Sequence, residues 1–395
     1  MYDFSEPVDR RHTHSMKWDG ARKRLTAEQA AADPLPMWVA DMDFRIAEPI
    51  AQALRRLVDH GVFGYTDVPD SMVDAVLQWQ QDRFGWQARR EWLVPAPGVV
   101  NALDMAIQTF TRPGEHVMML SPVYVHFHRD VIINGRRAIQ VPLDLQPDGR
   151  YRFDAAAFEA AIQPGTRLFI LSNPHNPTGN VWTREELTQM GRICLRHGII
   201  VVSDEIHQDL VLGEGAKHLT YGLLDDELAQ HAIICTAPSK TFNLAGLQCA
   251  NLFIPNDRLR ADYRAAVERA GLGLPNAMGL AACEAAYAQC GDWADAMLRY
   301  VKDNQAYFRA QVAARRLPFK VSPMASLYLA WLDFRQLGLP ADELHDFLLR
   351  KARLWLDPGT KFGVGGAGFM RINLACPRQT IDLALERLTQ ALAGR

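Results

Sequence analysis

The chain has 395 residues, of which 48% are hydrophobic and 22% charged, enough apolar material for a large core and a length suited to two or three domains. Its formal net charge of -2 excludes the bulk cationic footprint of a nucleic-acid-binding protein. No uncharged run is long enough to span a bilayer, and Asp3, Glu6, Arg10, Arg11, Lys17, Arg22 and Lys23 leave no apolar core for a secretory leader, so a cytoplasmic setting is expected.

Residues 1–45 read as irregular and end in the proline-punctuated, aromatic stretch Pro36-Met37-Trp38-Val39-Ala40-Asp41-Met42-Asp43-Phe44. Asp41 and Asp43 without a third partner are too few for a metal site, and no metal is expected. Helical apolar spacing over residues 46–60 stops at Gly61. The loop Phe63-Gly64-Tyr65-Thr66-Asp67 leaves Tyr65 to pack inward or reach outward, and a second amphipathic helix covers 71–84. Pro97-Gly98-Val99-Val100-Asn101 opens a helix running to Phe110, and the first free N–H groups of such a helix make an anion site without a lysine. A buried strand over 117–120 delivers Tyr124 just past its carboxyl end. His126 and His128 follow two apart, which turns them to different faces of a helix and argues against a shared metal.

A strand over 136–141 and a turn at Asp148-Gly149-Arg150 come next. The strand over 167–171 leads into Ser172-Asn173-Pro174-His175-Asn176-Pro177-Thr178-Gly179. Its two prolines hold Asn173 and Asn176 out of helical conformation, so a rigid loop presents Asn176 at a strand end. After a helix over 184–197, the β-branched run 199–203 ends in Asp204-Glu205-Ile206-His207, and the apolar run 232–235 leads to Ser239-Lys240. Beyond a strand over 249–254 and helices over 256–270 and 276–290, a long helix over 293–315 marks a change of texture. Strands over 327–332, 353–356 and 369–374 then alternate with helices over 341–351 and 379–392. The expected organisation is a large domain over 46–290 and a smaller α+β domain over 291–395, with residues 1–45 packed on the latter. Gly363-Val364-Gly365-Gly366-Ala367-Gly368 meets the Gly-x-Gly-x-x-Gly pattern but precedes a strand instead of following one, which rules out a dinucleotide site. Arg371 lies in a strand amid apolar neighbours and needs a carboxylate partner, internal or from a ligand. None of the six cysteines forms a Cys-x-x-Cys pair, and reduced thiols are expected.

The strand–loop–helix alternation predicts an α/β domain with a mostly parallel sheet, in which ligands bind outside the carboxyl ends of the strands. Tyr124, Asn176, Asp204 and Lys240 each lie just after a predicted strand and so converge on one edge. A desolvated lysine offers a neutral amine that forms an imine with a carbonyl cofactor, and pyridoxal 5'-phosphate (PLP) is the commonest. Each residue then has a task. Lys240 anchors the cofactor and later takes the substrate α-proton. Asp204 keeps the pyridine nitrogen protonated, Tyr124 stacks on the ring, and Asn176 bonds the ring oxygen. The helix start at Gly98, with Ser239, holds the phosphate, and Arg371 clamps the substrate carboxylate.

These motifs, with Gly64-Tyr65-Thr66, Ser239-Lys240-Thr241-Phe242-Asn243-Leu244-Ala245-Gly246-Leu247 and Phe369-Met370-Arg371-Ile372-Asn373-Leu374, resemble PLP enzymes of the aspartate aminotransferase fold, fold type I. Within it the chain is most similar to the MalY/PatB-type cystathionine β-lyases, or C-S lyases. The resemblance spans nearly the whole chain. It implies a seven-stranded, mostly parallel sheet in the large domain. It also implies a homodimer in which Tyr65 reaches the phosphate and substrate of the neighbouring subunit. Ile206 is implied against the ring face, and His207 stands where many transaminases of this fold have a tyrosine touching the ring oxygen. Val99 and Val100 are implied at the phosphate, and Trp38 and Asn176 beside the substrate carboxylate. Gln248 departs from those transaminases that carry a phosphate-binding arginine there, so the phosphate is expected to rely on backbone N–H groups, Ser239 and Tyr65. The expected reaction is β-elimination on an S-substituted cysteine, with L-cystathionine first, giving homocysteine, pyruvate and ammonia. An aminotransferase shares every step up to the carbanion. A PLP-retaining regulatory protein is the reading from another class.

Overall fold

The computed structural model describes residues 2–273 and 275–393. Seven strands form its central sheet: β1 (Leu93–Ala96), β2 (His116–Ser121), β3 (Arg137–Pro142), β4 (Thr166–Ser172), β5 (Ile200–Asp204), β6 (Ala232–Thr236) and β7 (Ala250–Phe253). Their spatial order is β1-β7-β6-β5-β4-β2-β3. β7 runs antiparallel to both of its neighbours, and the other adjacent pairs are parallel. This is the mostly parallel sheet expected.

The continuous apolar runs follow from burial on both faces. Successive side chains of a strand point to opposite sides. In β4, Leu168 and Ile170 therefore enter one apolar layer with Val117, Met119, Val202 and Ile233. Phe169 and Leu171 enter the other with Met118, Leu120, Val201 and Ile234. The connecting helices begin and end where local chemistry directs. Glu48–His60 closes on Gly61 at φ 75°, a left-handed cap that glycine adopts without steric cost. Arg184–Arg196 opens on a capping box in which Thr183 accepts the Glu186 N–H and Glu186 accepts the Thr183 N–H. Register aligns the sheet's working edge. Ser172 pairs with Asp204 and Asp204 with Cys235, so β4, β5 and β6 finish level.

A second, antiparallel sheet contains β8 (Lys320–Val321), β9 (Leu329–Asp333), β10 (Asp357–Pro358) and β11 (Phe369–Asn373), in the order β8-β9-β11-β10. Its apolar layer includes Phe308, Leu332, Leu348, Met370, Ile372 and Leu385. Leu35–Pro36 pairs in parallel with Leu354–Trp355, and the Asp43 N–H donates to the Ala375 carbonyl. The N-terminal stretch is thus joined by main-chain bonds to the C-terminal part. The run expected as a strand over 353–356 is shortened to two residues. Leu354–Trp355 takes the N-terminal stretch, while β10, just beyond, joins the second sheet.

β1 has no counterpart among the expected strands, and it contains Pro95. It is an edge strand, where a missing N–H costs no ladder bond. Asp41 and Asp43 have cationic partners within the chain. Asp43 accepts from Lys17 Nζ at 2.7 Å, Arg10 Nη1 at 2.7 Å and Trp18 Nε1 at 2.9 Å, and Asp41 pairs with Arg10 at 2.8 Å. All six cysteines are free and buried. No helix among the described residues is long and apolar enough to cross a membrane.

Candidate active site

A cavity of about 840 Å³ lies at the carboxyl ends of β2, β4, β5 and β6. Its wall includes Tyr124, Asn176, Asp204, Ile206, His207, Ser239 and Lys240 from the sheet edge. Gly98, Val99 and Val100 come from a helix start, Trp38 from the N-terminal stretch, and Arg371 from β11. Tyr65 is not part of this wall and is 95% exposed in the single chain.

β6 ends at Thr236, and the following turn brings Lys240 back to the strand end. Its Nζ donates to the Ala40 carbonyl at 2.8 Å. The same carbonyl accepts from Tyr328 Oη at 2.9 Å. Burial lowers the Lys240 pKa to about 8, against the opposing pull of Asp41. Near neutrality an appreciable fraction of this amine is therefore neutral. Asp204 is the last residue of β5 and is 6% exposed. Its Oδ1 accepts the Ile206 N–H at 3.1 Å. Burial pushes its pKa up to about 7, and neither that bond nor Lys240 cancels the shift.

Sequence reasoning missed the layer behind this acid. Glu205 is fully buried and accepts from Ser203 Oγ at 2.9 Å, the Tyr221 N–H at 2.8 Å, Asn173 Nδ2 at 3.3 Å and His218 Nε2 at 2.9 Å. These bonds tie the loops after β4 and β5 together. A multiply bonded buried carboxylate of this kind holds its neighbours in place.

Arg371 is 3% exposed. Its Nη1 donates to Asn176 Oδ1 at 3.0 Å, and its Nη2 donates to the Trp38 carbonyl at 3.2 Å and to Asp357 Oδ2 at 2.5 Å. Its Nε is buried without a partner. The carboxylate that a buried arginine requires is thus Asp357. The two-residue strand β10, which carries it, has no periodicity to reveal it in the sequence. Asn176 takes its place from the rigid loop, where its N–H donates to Ser172 Oγ at 3.2 Å and the bonds before Pro174 and Pro177 are cis.

Three aromatic groups complete the wall. Tyr124 caps the helix Val125–Ile133, and burial pushes its pKa up to about 12, so it stays a phenol at neutral pH. His207 is held well below the ordinary imidazole pKa by burial and by the charges of Lys240 and Arg371, and so is neutral. Its Nδ1 has no partner. Trp38 stacks on Trp355 with ring centroids 4.6 Å apart.

At the opposite end the helix Val99–Phe110 begins at Gly98 with no side-chain cap. The first intrahelical donor here is the Ala102 N–H to the Gly98 carbonyl, which leaves the N–H groups of Val99, Val100 and Asn101 as the free donors of an anion site. Ser239 and Gln248 stand in the same wall. An anion site, a desolvated amine and a buried acid occur along one cavity, with a neutral imidazole beside them. That donor set fits PLP, for which the helix start would take the phosphate, Lys240 the aldehyde and Asp204 the ring nitrogen.

The sequence profile of the family described as aminotransferase class I and II matches residues 37–388. Cystathionine beta-lyase PatB of Bacillus subtilis (strain 168) is 44% identical over 392 residues, covering 99% of this chain and 100% of the relative. Protein MalY of Escherichia coli (strain K12) is 34% identical over 395 residues and 99% of each chain. Among solved structures, cystalysin from Treponema denticola superposes with a TM-score of 0.93 at 33% identity, covering 100% of this chain and 99% of its own, and it contains a pyridoxal 5'-phosphate cofactor. The whole length of this chain, with its sheet-edge lysine, acid and asparagine, therefore belongs to the aminotransferase class I and II family.

Proposed function

We propose that this protein is a PLP-dependent carbon–sulfur β-lyase. It eliminates the thiol from S-substituted L-cysteines, with L-cystathionine first among them, and releases homocysteine, pyruvate and ammonia. The observation that carries this reading is the pairing of a Lys240 amine of lowered pKa with a buried Asp204 acid on one cavity. Full-length similarity to a protein named cystathionine beta-lyase gives the chemistry its direction.

When bound, the cofactor supplies the electron sink that stabilises a carbanion at the substrate α-carbon. The chain's own groups do the rest. The free helix-start N–H groups and Ser239 hold the phosphate. Asp204, buried in the cavity wall, would hold the ring nitrogen as N–H and be relieved of its own burial cost by that charge. Arg371 and Asn176 orient the substrate by its carboxylate. The neutral Lys240 Nζ removes the α-proton and passes it to the thiolate sulfur that leaves from the β-carbon, and water then hydrolyses the remaining three-carbon enamine to pyruvate and ammonia. Tyr124 and His207 stay uncharged at neutral pH and add no charge to the cavity wall. Trp38 and Trp355 form an apolar wall against water.

The reading includes a homodimer. Tyr65, Val62 and Phe63 are 95%, 69% and 61% exposed, an apolar loop tip that fits contact with a second subunit's phosphate site. Six free, buried thiols fit a reducing, cytoplasmic setting.

One assay tests the reaction. The purified PLP-loaded protein is incubated with L-cystathionine, with and without an α-keto acid. Pyruvate and free thiol without keto acid are expected, and Lys240→Ala should abolish both. Turnover only with keto acid would make the protein an aminotransferase. Bound cofactor with no turnover would make it a binding protein.

A further inference from the structure

The carboxylate on Arg371 in this structure belongs to the chain itself. Asp357 is 7% exposed and bridges two cations of the cavity wall. Its Oδ2 accepts from Arg371 Nη2 at 2.5 Å, and its Oδ1 accepts from Lys361 Nζ at 3.1 Å. Lys361 stands one helical turn downstream, has a side chain 45% exposed, and lies 5.4 Å from the centre of the Trp38 ring.

The donor inventory of Arg371 makes this arrangement consequential. A guanidinium has five N–H donors, one on Nε and two on each terminal nitrogen. Both N–H groups of Nη2 are in use, one on the Trp38 carbonyl and one on Asp357. A carboxylate docks on a guanidinium in a bidentate pair along either the Nε–Nη2 edge or the Nη1–Nη2 edge. Each edge includes Nη2, so no bidentate position is open while Asp357 stays where it is. Meanwhile Nε is buried and unpartnered, a cost recovered only when an acceptor arrives.

We propose that Asp357 is an internal stand-in for the substrate carboxylate, and that it is handed over to Lys361 when substrate binds. The α-carboxylate then takes Nε and the released Nη2 donor, while Asp357 stays paired through its second oxygen. Charge supports the exchange. Arg371, Lys361 and Asp357 sum to one positive charge before binding, which one incoming carboxylate neutralises. Without Lys361 the remaining pair sums to zero, and among the described residues Asp357 has no other cation within salt-bridge distance, so it holds Arg371 against the substrate. Asp357 and Lys361 thus set the affinity for carboxylate-bearing substrates as positioning residues. The inference rests on the reading that Arg371 receives the substrate carboxylate, but not on which bond is later broken.

The test is a calorimetric titration of the PLP-loaded protein with 2-methylalanine. This amino acid has no α-proton, so it binds without turnover. tert-Butylamine, with a methyl group in place of the carboxylate and likewise no α-proton, is the control. Asp357→Asn should tighten 2-methylalanine binding by at least about tenfold and leave tert-butylamine within about twofold, because one buried anion has been removed from Arg371. Lys361→Met, at a half-exposed side chain, should weaken 2-methylalanine binding about fivefold. Most of that loss should vanish in the Asp357→Asn background. Weaker 2-methylalanine binding by Asp357→Asn, an equal change for both probes, or the same Lys361→Met factor in both backgrounds would overturn the exchange. Unchanged 2-methylalanine binding by Arg371→Gln would instead overturn the assignment of Arg371, whatever the lyase assay returns.

Discussion

Asp204→Asn pits the stability of the fold against its chemistry, and the structure sets the size of the effect. Without cofactor, Asp204 is 6% exposed, accepts one backbone N–H, and has its pKa raised from 3.8 to about 7 by burial. Below pH 3.8 the folded and unfolded chains both hold this proton, and it contributes nothing to a pH dependence. Between about pH 4 and pH 7 the folded chain keeps a proton that the unfolded chain has released, so stability falls as pH rises. At about 1.4 kcal/mol per unit, the loss is on the order of 4 kcal/mol by pH 8. The amide is nearly isosteric, accepts the same Ile206 N–H, and does not ionise. The cofactor-free variant should therefore exceed the cofactor-free wild type by on the order of 4 kcal/mol at pH 8, with the gap closing toward pH 4. Urea unfolding of both proteins across that range reads the difference. With cofactor bound the direction reverses. An amide cannot balance a protonated ring nitrogen, and turnover should fall by about a hundredfold or more. A cofactor-free variant no more stable than wild type at pH 8, or a gap that stays constant down to pH 4, would refute the burial argument.

Two further outcomes test the cofactor's surroundings. Tyr65→Ala and Lys240→Ala should each be inactive alone, because each removes one part of every site. Unfolded together and refolded as a mixture, they should recover about a quarter of wild-type turnover, since random pairing leaves one intact site in half of the dimers. No recovery would exclude Tyr65 from the neighbour's site. Gln248 is an exposed residue of the cavity wall at φ 49°, and among the described residues its side chain has no hydrogen bond to hold it away. Gln248→Arg should therefore place a cation at the phosphate and slow cofactor release about tenfold. Release no slower from the variant than from wild type would show that the added cation gains nothing over the backbone N–H groups and Ser239.

The inner strands of the central sheet were legible because burial on both faces writes a largely apolar run into the sequence, whereas the edge strand β1 was missed. The polar residue that ends each run marks the sheet edge, so Asn176, Asp204 and Lys240 were readable without coordinates. Strand direction and order were not, since a four-residue buried strand such as Ala250–Phe253 carries no sign of running antiparallel to its neighbours. Nor could sequence reveal the Ala40 carbonyl that Lys240 finds 200 residues away, because a backbone acceptor has no residue signature. Asp357 sat in a strand too short to show a period, and its value as Arg371's partner exists only once β10 and β11 pair. What the sequence determined by itself was the chemical inventory at one edge of an α/β sheet. The tertiary structure decided which charges meet there, because burial raises the acid and lowers the amine only after distant segments have closed over them.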